Sequence, residues 1–132
     1  MILDHRRWRR ERGDQHTESR RSLYVSYLSA LAAARHACRL AVREPGPDAD
    51  QRRRAVWETF EACTSLRYEL SICAPRYVVE ASDDSFRRLR DLRDVAADGF
   101  SRASDEYVAG RLRYDRAYQA LRDAMRKDLG AD

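Results

Sequence analysis

The chain has 132 residues, 43% of them hydrophobic and 36% charged, and a formal net charge of +4. That length allows one domain able to bury a core of its own. Only five Gly and three Pro stand against 19 Ala and 12 Leu. This composition favours long amphipathic helices, opposes a sandwich, barrel or parallel sheet, and carries too much periodic apolar content for a disordered chain.

The punctuation is sparse: Pro45-Gly46-Pro47, Pro75 and Gly99 divide the sequence into four segments of helical period. The first, from about Leu3 to Arg43, carries the stripe Tyr24, Tyr27, Leu31, Ala34, Cys38 and Ala41 at alternating three- and four-residue spacing. Upstream of that seam, Trp8 is the only large apolar residue after Leu3, and Gly13-Asp14 is a place where the helix could fray or be capped. The second segment opens with Asp48 and Gln51 at capping-box spacing and carries Val56, Phe60, Cys63, Leu66, Leu70 and Cys73. For the third, either Pro75 occupies the first helical position or Ser82 caps a shorter helix; the stripe Val78, Ser82, Phe86, Leu89, Arg93 and Ala96 favours the continuous form. The fourth begins at Ser101 or Ser104 and ends near Leu129, with the stripe Tyr107, Tyr114, Tyr118, Leu121 and Met125. Short connections make neighbours antiparallel. The expected fold is all-α: an antiparallel up-down-up-down four-helix bundle (23–130) with an extended N-terminal helix whose residues 1–22 form a basic arm.

Catalytic and metal-binding patterns are not found. No Glu or Asp stands three residues before His5, His16 or His36, as a di-iron bundle needs, and the cysteines and histidines lack zinc spacing. There is no P-loop, no nucleophile elbow and no glycine-rich turn. Neither an enzyme nor a cofactor is therefore expected. Cys38, Cys63 and Cys73 fall in apolar stripes and should be reduced, buried and unreactive, which suits a cytoplasmic protein. The runs of charge elsewhere read as solvated faces, with Arg54–Glu58, Arg87–Asp91, Arg90–Asp94 and Arg111–Asp115 as i,i+4 pairs. Five tyrosines at core spacing should pack their rings and send their hydroxyls to the rim.

Basicity concentrates at the front, where residues 1–21 hold seven Arg against four acids. Arg6, Arg7, Trp8, Arg9, Arg10 and Arg12 are the candidate contacts to a partner or an anion. The chain thus reads as a non-enzymatic helical module that binds a protein partner or itself. The alternative is a nucleic-acid binder using the same Arg cluster, and peripheral membrane contact through the arm is a further option.

The stretch Trp8 to Arg12, the pair Arg20-Arg21, the segment Tyr27 to Leu31, the run Ala74 to Ala81 and the ending Met125 to Gly130 resemble a group of small uncharacterised actinobacterial proteins. In that group a membrane helix precedes a Trp- and Arg-rich linker and a helical bundle. The resemblance implies a bundle and no particular activity. Only Met1-Ile2-Leu3 stand before the linker here, so the expectation is either a member without the membrane helix or a chain that begins inside a longer gene.

Overall fold

A side-chain stripe that recurs every three and four residues gives a helix one face to bury, and four such stripes can close around a common axis. The computed structural model describes the backbone of residues 2–43, 49–98 and 100–130, and the side chains of 13, 15–42, 50–98 and 100–130. Four helices account for almost all of it: α1 (Ile2–Arg43), α2 (Ala49–Cys73), α3 (Arg76–Ala97) and α4 (Asp105–Asp128). No strand occurs among the described residues. The expected all-α four-helix bundle is the observed fold.

Contacts across the bundle set the direction of each helix. Arg20 and Arg35 of α1 pair with Asp128 and Asp115 of α4, so α1 ascends as α4 descends. The Tyr27 hydroxyl donates to the Ser82 carbonyl of α3, and Arg67 of α2 pairs with Asp83 of α3. α1 packs most closely on α2, and α3 on α4. Ala30, Ala34, Ala37 and Ala41 lie along the buried side of α1, and their small side chains permit a close helix–helix approach. The core is completed by Leu31, Phe60, Leu70, Val78, Leu89, Leu92 and Leu121, with the Phe60 and Phe86 rings tilted at 5.9 Å between centroids.

The helix ends follow local chemistry. Pro75 is the N-cap of α3 rather than its first residue, with φ −61° and ψ 155°. Its carbonyl accepts from the Val78 and Val79 amides at 3.0 and 3.1 Å. α3 is therefore continuous, and Ser82, fully buried inside it, caps nothing. Ser104 caps α4, its hydroxyl oxygen accepting from the Tyr107 amide at 3.2 Å, with Asp105 and Glu106 in the first turn and Arg126 and Lys127 in the last. Gly130 follows the helix with φ 74°, the left-handed residue of a common C-terminal stop. The expected Asp48 cap of α2 lies outside the described residues.

Several local expectations are corrected. α1 runs unbroken through Gly13; Thr17 donates its hydroxyl to the Gly13 carbonyl and does not cap a new helix. Cys73 is exposed, because the α2 stripe runs out where the chain turns at Ala74-Pro75; its thiol donates to the Glu69 carbonyl at 3.3 Å. Two of the expected arginine pairs go elsewhere: within α3 Arg87 and Arg88 both turn back to Asp84, and Asp115 pairs across the bundle with Arg35 of α1. The tyrosine hydroxyls do not all reach the rim. That of Tyr114 is buried without a hydrogen-bond partner, as is the Ser82 hydroxyl.

Candidate interaction surface

α2 has two apolar faces. Val56, Phe60, Cys63 and Leu70 point inward and are buried. On a second, outward face of the same helix, beside this seam, stand Trp57, Tyr68 and Ile72, respectively 63%, 64% and 86% exposed. With Glu61 and Thr64 between them they recur at spacings of four, three, four and four, which is one face of a helix. A bundle helix needs one apolar face for its core. A second one, carrying large aromatic side chains in water, is the usual mark of a contact surface.

The border of this face toward α3 is a row of arginines stacked on rings. Arg93 lies 5.5 Å from the Trp57 centroid and 4.8 Å from that of Phe60. Arg67 lies 4.5 Å from Phe86 and 5.9 Å from Tyr68, and Arg90 lies 5.7 Å from Phe86. Each such stack contributes about 0.5–1 kcal/mol where it is exposed. Together they explain how Arg93, placed at a core position of α3, stays half-buried: its stem covers Phe60 while its head rests on Trp57 and pairs with Asp94. The border toward α1 is acidic. Glu58, Glu61 and Glu69 are exposed, and among the described residues none of them makes an ion pair.

The candidate residues of the basic arm, Arg6, Arg7, Trp8, Arg9, Arg10 and Arg12, belong to the first turns of α1; their side chains lie outside the described residues. Arg20 is held by Asp128, the final residue of α4, so residues 2–19 extend past the end of α4 along the α1 axis. At about 1.5 Å per residue that projection is about 27 Å. Among its described residues Gln15, His16, Glu18 and Ser19 are exposed, and Glu18 is paired within the helix with Arg21.

The junction between arm and bundle is polar and well made. The Asp128 carboxylate accepts from Arg20 Nε at 3.0 Å and from the Tyr24 hydroxyl at 2.6 Å. Burial, then the hydrogen bond and charge of Asp128, push the Tyr24 hydroxyl well above its ordinary pKa. Deeper in the core, burial raises the Tyr27 hydroxyl to about 12, the Cys38 thiol to about 12 and the Cys63 thiol to about 11. These thiols are protonated at neutral pH and poorly suited to nucleophilic work.

His16 and His36 are exposed, and among the described residues no group of His, Cys, Asp and Glu is placed to hold a metal ion. No described helix is long and apolar enough to cross a membrane. The fold and this surface define an all-α bundle with an outward aromatic face. Compared with family models, characterised proteins and solved structures, the chain matches none. The residues of the α2 outer face were missed in reading the sequence alone. Their signal was present in the four-three-four-four spacing of Trp57, Glu61, Thr64, Tyr68 and Ile72, which runs beside the seam that was followed instead.

Proposed function

We propose that this chain is a non-enzymatic helical interaction module that binds protein through the outer face of α2 and the projecting arm of α1. The observation that carries this reading is the exposure of Trp57, Tyr68 and Ile72 on an outward face of α2 beside its core seam. Large aromatic side chains supply much contact area for little conformational entropy, and interface cores are enriched in them. Replacing them with serine should leave the core untouched, since none of the three belongs to it. The test is a Trp57→Ser, Tyr68→Ser double variant examined by light scattering and by chemical cross-linking. Loss of association in a variant that remains folded, its midpoint lowered by no more than the two lost arginine stacks contribute, supports the reading; a variant that keeps every association contradicts it.

A second reading, nucleic-acid binding by the arm, is favoured by the density of arginine between Arg6 and Arg12. It differs in its salt response, because each phosphate neutralised releases counterions and affinity would fall steeply between 50 and 200 mM salt. The three free cysteines suit a reducing compartment and so support a cytoplasmic setting.

A further inference from the structure

The helices form two close pairs, α1 with α2 and α3 with α4, and polar contacts are shared unevenly between them. Among the described residues no side-chain hydrogen bond or ion pair joins α1 to α2. Between α3 and α4 only the Ser85 hydroxyl crosses, donating to the Ala117 carbonyl at 3.0 Å. Every other such link between helices runs from one pair to the other. Arg20 and Tyr24 meet Asp128, Arg35 meets Asp115, Arg67 meets Asp83, and the Tyr27 hydroxyl donates to the Ser82 carbonyl. In all three ion pairs the arginine belongs to α1–α2 and the aspartate to α3–α4. A polar, charge-sorted boundary of this kind resembles the contact between two separable units.

The boundary also has apolar and unsatisfied parts. Phe60 of α2 meets Phe86 of α3 at 5.9 Å between centroids. Ser82 and Tyr114 both touch α1, Ser82 through its bond from Tyr27 and Tyr114 through Arg35, 5.9 Å from its ring centroid. Both of their hydroxyls are buried without a hydrogen-bond partner. Parting the two units would hydrate these hydroxyls, which offsets some of the cost of exposing the apolar groups.

The link between the units is short. The Ala74 amide donates to the Leu70 carbonyl at 2.9 Å, closing α2, and the Pro75 carbonyl accepts from the Val78 amide at 3.0 Å, opening α3. Rotation between these two bonds, at Ala74-Pro75, redirects one unit without breaking a hydrogen bond of either helix. Pro75 also disfavours a helical Ala74, so the link stays bent and the two helices do not fuse into a rod.

We propose that the bundle parts along this boundary and that two copies exchange units, α1–α2 of each closing on α3–α4 of the other. The partner is a second copy, because an opened chain exposes three arginines on one unit and three aspartates on the other, and each copy supplies what the other lacks. The exchanged dimer repeats each boundary contact twice and alters only the link, so protein concentration decides between closed monomer and dimer. Each copy gives one unit and receives one, and the assembly closes at two. This goes beyond the reading of the α2 outer face and leaves Trp57 and Tyr68 where they are.

Charge exchange between two variants provides the test. Arg35→Asp with Arg67→Asp, and separately Asp83→Arg with Asp115→Arg, put like charges at two contacts of the closed chain. In a heterodimer that exchanges units, one bundle carries the parent charges and the other carries all four reversed, so both are matched. Folded variants mixed and incubated should form a species of twice the 15.4 kDa chain mass by sedimentation, about 10-fold more abundant than the dimer of either variant alone. That species should melt near the parent midpoint. The parent should give the same dimer as its concentration rises. A chain bearing all four changes matches itself; it should melt near the parent and should not pair with it, since exchange between those two mismatches both bundles. Failure of the two variants to pair overturns the proposal, as does a mixed dimer that melts no higher than its components. A stable pair between the parent and the fourfold variant also overturns it, as does a parent that is monomeric at every concentration. The Trp57→Ser, Tyr68→Ser variant should exchange as the parent does, so its result bears on the outer face alone.

Discussion

The two halves of α1 are one continuous helix in two different situations. From Tyr24 to Ala41 it buries a seam of aromatic, aliphatic and alanine side chains against the three other helices. From Ile2 to Ser19 the same helix continues with hardly any apolar residues, before the point where Arg20 meets the last residue of α4. Both halves belong to one helix, so the contrast lies in what tertiary burial adds. An isolated polar helix of this length is marginal in water. The bundle half is held by its neighbours, and the arm requires something else to hold it.

The sharpest way to break this contrast is to compare damage to each half. Leu31, Phe60, Leu89 and Leu121 are all buried, and truncating any one to alanine should cost about 2–5 kcal/mol in denaturant unfolding. Deleting residues 1–17 should leave the unfolding midpoint nearly unchanged while removing protein binding through the arm. If the truncated chain melts early, the arm packs on the bundle and the division between the halves disappears.

The junction should respond at an intermediate level. Asp128 is largely buried and accepts from both Arg20 and Tyr24, so Asp128→Ala should destabilise by about 1–3 kcal/mol, the range for hydrogen bonds involving a charged group. An effect indistinguishable from zero would show that this junction adds nothing to the apolar contacts and the Arg35–Asp115 pair that also join α1 to α4. The bundle interior also holds a change expected to be favourable. The Tyr114 hydroxyl is buried and unpartnered, and Tyr114→Phe should raise stability by about 1 kcal/mol. A loss instead would reveal a hydrogen bond made by that hydroxyl in solution.

The smallest effect concerns the thiols and alkaline pH. Cys38 and Cys63 should resist a thiol reagent in the folded chain, while exposed Cys73 reacts rapidly. Burial lifts Cys38 from its ordinary 9.0 to about 12 and Tyr27 from 10.0 to about 12. The folded chain therefore keeps protons that the unfolded chain releases, so stability is fully present below pH 9 and declines as pH rises from 9 to 12. A urea midpoint that stays level up to pH 11 would contradict this.

The seams were legible in the sequence because burial imposes a period. Tyr24, Tyr27, Leu31, Ala34 and Cys38 could be placed without coordinates, as could the Ser104 cap. Features that depend on which helix lies next to which were not legible. Arg35 meets Asp115 across a distance of eighty positions in the chain, and an i,i+4 rule could only assign Asp115 to Arg111. Cys73 keeps the period of its seam but falls at the end of α2, where cover runs out. The outer face of α2 was obscured for a different reason: a helix apolar on two sides weakens the very asymmetry by which a buried face is recognised. The arm was legible as basic and lacking a seam, and its position past the end of α4 follows from the Arg20–Asp128 pair.

Amide hydrogen exchange along α1, measured over a range of protein concentrations, tests the contrast most directly. Residues 24–41 should exchange slowly at every concentration, at the rate set by global unfolding. Residues 2–19 should exchange rapidly in dilute protein and become protected when a binding protein, added in excess or present as further copies at high concentration, covers them. Uniform protection along the whole of α1, independent of concentration, would contradict the account.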